Sequence, residues 1–149
     1  HGTPSSPDDL AQHETLRQTI VPDNRWLFVR SAGTSTNEDM GSDTNANHEQ
    51  RIVELKGRFR GDDSEAVLDL ALAGCGIALL PTWLAGPALR EGRLHGVLPE
   101  WEARTGRAEP AIWAVYPPKK IVSSKVRAFV DFYAGLIGEP PYWDEGLAD

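Results

Sequence analysis

Asp62, Asp63, Ser64 and Glu65 place four oxygen-bearing side chains in succession just ahead of an apolar run containing Val67, Leu68, Leu70, Ala71 and Leu72. A hard cation needs several oxygens converging on one point. Consecutive residues project in different directions, however, and the start of a helix favours acids in any case. Helix capping by Asp63 and Ser64 is therefore the reading the spacing supports, and no metal is expected. The same helix start offers oriented N–H donors to a ligand in a cleft. That keeps Asp62, Asp63 and Ser64 as candidate binding residues, with the Asp62 carboxylate opposing an acidic ligand.

The remaining chemistry-bearing residues form no reactive constellation. Cys75 is the only thiol, and it lies between Gly74 and Gly76 beside Ile77, without the base or positive setting a nucleophile needs. A packed core thiol is the expectation. Gly74-x-Gly76 closes a helix and opens a strand, the reverse of a dinucleotide-binding turn, so no nucleotide cofactor is implied. His1, His13, His48 and His95 lack metal-ligand spacing. Trp83, Trp101 and Trp113 have no basic groove beside them and read as core and lobe-edge aromatics rather than base-stacking platforms. With no nucleophile, base and orienting group in register, catalysis is not expected.

The elements that must position these residues alternate between strand and helix. Trp26, Phe28 and Arg30 alternate with Leu27 and Val29, as in a strand with two unlike faces. Val53, Leu55 and Phe59 mark a second strand, with Gly57 a bulge or close-packing point. A helix starts at Asp63, Gly74 closes it in the left-handed conformation, and Ile77 to Leu80 reads as a strand buried on both faces and stopped by Pro81. Thr82 then caps a short helix through Leu89 and Glu91 that Pro87 should break or restart and Gly92 end. Leu94, Val97 and Leu98 read as a strand, as do residues 111–115 after a polar turn over residues 103–110. Ser123 or Ser124 caps a last helix whose Val126, Phe129, Val130, Tyr133 and Ile137 recur at helical spacing. Residues 31–50, rich in Thr, Ser, Asn, Asp and Gly, read as a long protruding loop. The order implies an open α/β sheet, in which ligands bind beyond the carboxyl ends of the strands.

Composition narrows the function classes. The 149 residues carry a net charge of −7, which opposes unassisted binding to a phosphate backbone. Lys119, Lys120, Lys125 and Arg127 are the one basic cluster and read as a solvated helix face. A single cysteine excludes an internal disulfide, and neither a leader nor an apolar run of membrane-spanning length is evident. A cytoplasmic protein without membrane contact is expected.

Several ordered motifs resemble the C-terminal half of LysR-type transcriptional regulators. They are the run from Gly61, Gly92-x-Leu94 with Leu98-Pro99, Val115-Tyr116-Pro117, and Lys125-Val126-Arg127-Ala128-Phe129-Val130-Asp131-Phe132. Ahead of these, Gly2-x-Pro4-x-x-Pro7-x-Asp9-Leu10-x-x-His13-x-x-Leu16 and Trp26-x-Phe28 are similar to the family's passage into its second effector subdomain. The resemblance implies an α/β, periplasmic-binding-protein-like (type II) lobe with an open mixed sheet flanked by helices. It divides the chain into residues 1–13 leading in, 14–117 as the second effector-binding lobe, and 118–149 as a return helix and tail that would pack on an absent first lobe. It implies a small-molecule effector bound between lobes, with Arg17, Gln18, Thr19, Asp62, Asp63 and Ser64 at the cleft and Arg17 able to pair a carboxylate. It further implies a homo-oligomer that meets DNA only through an absent winged helix-turn-helix, and a small apolar residue at the Cys75 position. The alternative is a free-standing small-molecule-binding or protein-interaction module with no DNA role.

Overall fold

A computed structural model describes residues 2–19, 24–30, 49–106, 112–116 and 123–147. The described strands are β1 (Thr15–Gln18), β2 (Arg25–Arg30), β3 (Glu49–Glu54), β4 (Arg60–Gly61), β5 (Ile77–Ala78) and β6 (Glu102–Arg104). The α-helices are α1 (Ser64–Leu72), α2 (Thr82–Arg90) and α3 (Ser124–Ile137), with short 3-10 helices at Pro7–Gln12 and Tyr142–Asp144.

The strands form a mixed arrangement in two parts, a parallel set ordered β4-β1-β5 and an antiparallel set ordered β3-β2-β6. The chain from Glu49 to Gly61 splices them. Its first half pairs with β2, Trp26 opposite Val53 and Phe28 opposite Arg51. Its second half runs beside β1, accepting from Thr15 N at Lys56 O (3.2 Å), from Arg17 N at Phe59 O (3.4 Å) and from Thr19 N at Gly61 O (2.7 Å). Gly57 is the close-packing point expected of it, since a Cβ there would sit 1.9 Å from the Thr15 carbonyl oxygen.

Beneath the antiparallel set Leu10, Trp26, Phe28, Val53, Leu55 and Leu98 form the core, with Ile77, Leu79, Trp101 and Ala103 packed against it. The alternation seen in β2 sends Trp26 and Phe28 to this side. The opening 3-10 helix brings Leu10 underneath. Asp9 Oδ2 fixes that turn by accepting from Ser5 N, Ser5 Oγ and Ser6 N at 2.8–3.0 Å. The hydroxyl of Ser5 and these amide donors hold the Asp9 carboxyl below its usual range.

Both helices after the parallel strands end as their glycines dictate. At α1, Gly74 takes φ +74° while Cys75 N donates to Leu70 O and Gly74 N to Ala71 O. At α2, Gly92 takes φ +68°, with Arg93 N to Ala88 O and Gly92 N to Leu89 O. Both are the paired-bond termination that satisfies the last carbonyls.

Several expectations are corrected. Pro87 neither breaks nor restarts α2: it sits inside the helix, with Ala85 N donating to Pro81 O and Glu91 N to Pro87 O. β5 is a two-residue, half-buried strand rather than a run buried on both faces. Leu94 to Leu98 form no strand, because Leu98, buried at 6% exposure, holds a left-handed φ of 58° that no strand contains. Residues 112–116 are not a strand either, and Val115 and Trp113 stand exposed. Conversely Ala103 and Arg104, read as the start of a polar turn, join Glu102 in β6 on the free edge of β2. Cys75 is exposed, since the loop that ends α1 turns it outward instead of into the core. Trp83 is likewise exposed, while Trp101 packs at the core edge. The polar stretch 31–50 lies outside the described residues except for Glu49 and Gln50, which open β3; His1, His48, Lys119 and Lys120 also lie outside them.

Candidate functional site

The carboxyl ends of the parallel strands converge on one edge, where β1 ends at Gln18, β4 at Gly61 and β5 at Ala78. α1 begins at this edge directly after β4. Asp63 is its N-cap and accepts from Glu65 N at 2.9 Å, so the capping role read from the sequence is the one this carboxylate performs. Ser64, the first helical residue, is half-buried and accepts from Gln18 Nε2 at 3.1 Å across the strand edge. Thr19 N is bonded to Gly61 O, which ties the end of β1 to the turn carrying Asp62 and Asp63. The structure thus gathers Gln18, Thr19, Asp62, Asp63 and Ser64 at one edge, with Asp62 exposed to solvent.

Arg17 stands apart from them. Neighbouring strand residues point to opposite faces, and the Arg17 guanidinium lies beside the loop before β4, where NH2 donates to Gly57 O. Its Nε is buried without a hydrogen-bond partner. In this chain Arg17 stitches β1 to the 55–61 segment.

Gln18 also borders a cavity of about 760 Å³. Its floor is the loop after β5 and the start of α2, with Leu79, Leu80, Pro81, Thr82 and Trp83. β6 supplies Ala103 and Arg104, and the far wall is Ile137 of α3 with Trp143 and Asp144 of the C-terminal turn. That turn is moored on α2: Arg90 NH1 donates to Trp143 O at 2.9 Å and to Glu145 O at 3.3 Å, and the absence of a side chain at Gly86 leaves room for it. Volume and apolar lining suit a small organic molecule.

The polar groups are few. Arg104 is engaged in β6 itself, Nε and NH2 each meeting a Glu102 carboxylate oxygen at 2.7 Å. Those bonds hold the Glu102 carboxyl below the usual range. Thr82, Thr105 and the Gln18 carboxamide add neutral donors and acceptors. Among the described residues no group of His, Cys, Asp and Glu could hold a metal ion, and no helix is long and apolar enough to cross a membrane.

Sequence reasoning missed the floor and far wall. The floor had a signal, because Pro81-Thr82-Trp83 follows β5 at the strand ends where such sheets bind ligands. Asp144, over a hundred residues from Gln18 in the chain, had none.

Asp63→Ala is expected to lower stability by about 1 kcal/mol through loss of the α1 cap. Thermal unfolding of the variant beside the parent measures it, and an unchanged midpoint would remove the capping role.

The fold is a mixed α/β arrangement with a cavity of small-molecule size beside the carboxyl ends of its parallel strands. The chain belongs to the LysR family: residues 1–136 match the LysR substrate binding domain. It is 30% identical over 138 residues to the probable HTH-type transcriptional regulator LtrA of Klebsiella pneumoniae, and 32% over 137 residues to the HTH-type transcriptional regulator PtxR of Pseudomonas aeruginosa. The matches cover 92% and 91% of this chain but 39% and 38% of those proteins. The regulatory domain of AphB from Vibrio vulnificus, treated with cumene hydroperoxide, superposes with a TM-score of 0.57 at 24% identity, over 89% of this chain and 56% of that one. Full-length AphB of Vibrio cholerae superposes with a TM-score of 0.54 at 24% identity, over 70% of this chain and 30% of that one. The fold is accordingly the periplasmic-binding-protein-like, type II fold of LysR regulatory domains.

Proposed function

We propose that this chain is the second lobe of a LysR-type effector region and senses a small molecule at the carboxyl edge of β4-β1-β5. The observation that carries the reading is the Gln18–Ser64 bond beside the 760 Å³ cavity, which joins a strand end, a helix start and an apolar floor at one place. Gln18, Thr19, Asp62, Asp63 and Ser64 border the effector in this reading, and Arg17 supports β1 from the opposite face. In the intact regulator, preference of the effector for one arrangement of the lobes shifts how an oligomer presents its DNA-binding domains, at a cytoplasmic promoter. The lobe itself catalyses nothing.

Two further features support the assignment. The net charge of −7 disfavours direct DNA contact by this chain. α3, the return helix within residues 118–149, has no buried residue and leaves Phe129, Phe132 and Leu136 exposed, as a helix that packs on a first lobe would.

Thermal-shift screening of the purified chain against a metabolite library tests the reading, followed by Gln18→Ala on any compound that stabilises it. Gln18→Ala should weaken binding roughly tenfold, the worth of one good buried hydrogen bond. Undiminished binding would place the effector elsewhere. The exposed face of α3 also suits a second reading, a free-standing interaction module, which would bind its ligand with full affinity without any further domain.

A further inference from the structure

The cavity also carries information about the charge of its occupant, and the inference rests on the ligand-sensing reading above. Asp144 lines it, and Asp144 Oδ1 is buried without a hydrogen-bond partner. A buried acceptor left unsatisfied is costly, so a turn of the carboxylate about its broad Cβ–Cγ torsion toward a donor in the cavity would be favoured. Two tryptophans, Trp83 and Trp143, line the same cavity, and indole faces attract organic cations.

The nearest cation is Arg90, whose NH1 is taken up by the Trp143 and Glu145 carbonyls on either side of Asp144 and leaves Asp144 Oδ1 unbonded. Arg104 already faces a carboxylate through two 2.7 Å bonds to Glu102, and Arg17 lies on the opposite face of β1, against Gly57 O. The start of α2 contributes the partial positive charge of a helix N-terminus, roughly half an elementary charge, against the full charge of the Asp144 carboxylate. Asp62 and Asp63 lie at the same strand edge, and the whole chain carries −7.

We propose that this cavity takes an amine-bearing apolar molecule, its ammonium donating to Asp144 and its aromatic or aliphatic body lying on Leu79, Leu80, Trp83 and Trp143. An organic acid of the same shape meets the same carboxylate and binds more weakly.

Titration calorimetry of the whole chain with three probes of one skeleton tests this: phenethylamine, phenethyl alcohol and 3-phenylpropanoate. The amine is expected to bind at least roughly tenfold more tightly than the acid. Asp144→Asn should weaken the amine about tenfold and leave the alcohol unchanged. Asp8→Asn, which removes the same charge from the opening 3-10 helix, should change neither. Preferential binding of 3-phenylpropanoate, or an amine affinity indifferent to Asp144→Asn, would overturn the cation assignment while leaving the cavity a ligand site. If none of the three binds, the cavity reading falls with it.

Discussion

Gly57→Ala is expected to cost more stability than a methyl group added at any other glycine among the described residues. The new Cβ would stand 1.9 Å from Thr15 O and 2.9 Å from Thr15 C, both main-chain atoms. A flexible side chain can move away from such a contact, but this stretch of backbone is pinned. Thr15 is fully buried, and its N and Oγ1 both donate to Lys56 O, at 3.2 and 2.9 Å. Relief therefore requires β1 to part from the 55–61 segment, breaking those bonds and the Arg17 contact to Gly57 O. We expect a loss of about 3 kcal/mol or more, at the upper end of what overpacking costs, read as the shift in urea midpoint at constant slope. Gly57 is not in the left-handed region, so the effect is steric and not conformational. Gly96→Ala is the control, with no atom within 4 Å of the added methyl. It should change stability by no more than about 0.5 kcal/mol, and equal losses in the two variants would refute the steric account.

Gly57 illustrates what the sequence could disclose. A glycine inside an apolar run announces close approach, but which backbone comes near is decided by β1, and Thr15-Leu16-Arg17-Gln18 has too little contrast to declare itself a strand. The elements with both a cap and a terminator were legible. α1 lies between Asp63 and Gly74, and α3 starts at Ser123, whose Oγ accepts from Val126 N. β2 was legible by alternation alone.

The failures share one cause. β6 is a strand only because β2 has a free edge at Leu27 to Val29, and the polar sequence Glu102-Ala103-Arg104 carries no periodic sign of it. Residues 112–116 are apolar enough for a strand and have no strand partner among the described residues. Pairing is a property of two segments, and a pattern in one does not supply the other. The site divides along the same line. Asp63 and Ser64 were visible as a helix start, whereas the bond from Gln18 to Ser64 spans 46 residues and depends on the register of β1 against β4.

Phe28→Ala should be the most damaging truncation in the antiparallel set. Phe28 is 3% exposed at the middle of the central strand, opposite Arg51 on β3 and Ala103 on β6. Its ring meets Trp26 edge-on with centroids 6.4 Å apart, a contact worth about 0.5–1.5 kcal/mol beyond burial. Around it Leu10, Val53, Leu55 and Leu98 come from separate elements and cannot all close on the void. The expected loss is about 3–5 kcal/mol, a large part of the 5–15 kcal/mol that typically holds a domain folded. Ile52→Ala removes a comparable side chain from the neighbouring strand, but Ile52 is 62% exposed, so the change should stay within about 0.5 kcal/mol. The damage should also reach the cavity. β6 has β2 as its strand partner and packs Ala103 on the core around Phe28, and it carries Ala103 and Arg104 in the cavity wall. In any Phe28→Ala protein that remains folded, hydrogen exchange should therefore rise at residues 102–104 before it rises in α1, which packs on β1, β4 and β5 instead. Simultaneous loss of protection in β6 and α1 would show that the two sheets unfold as one unit and that the splice at Gly57 transmits the damage.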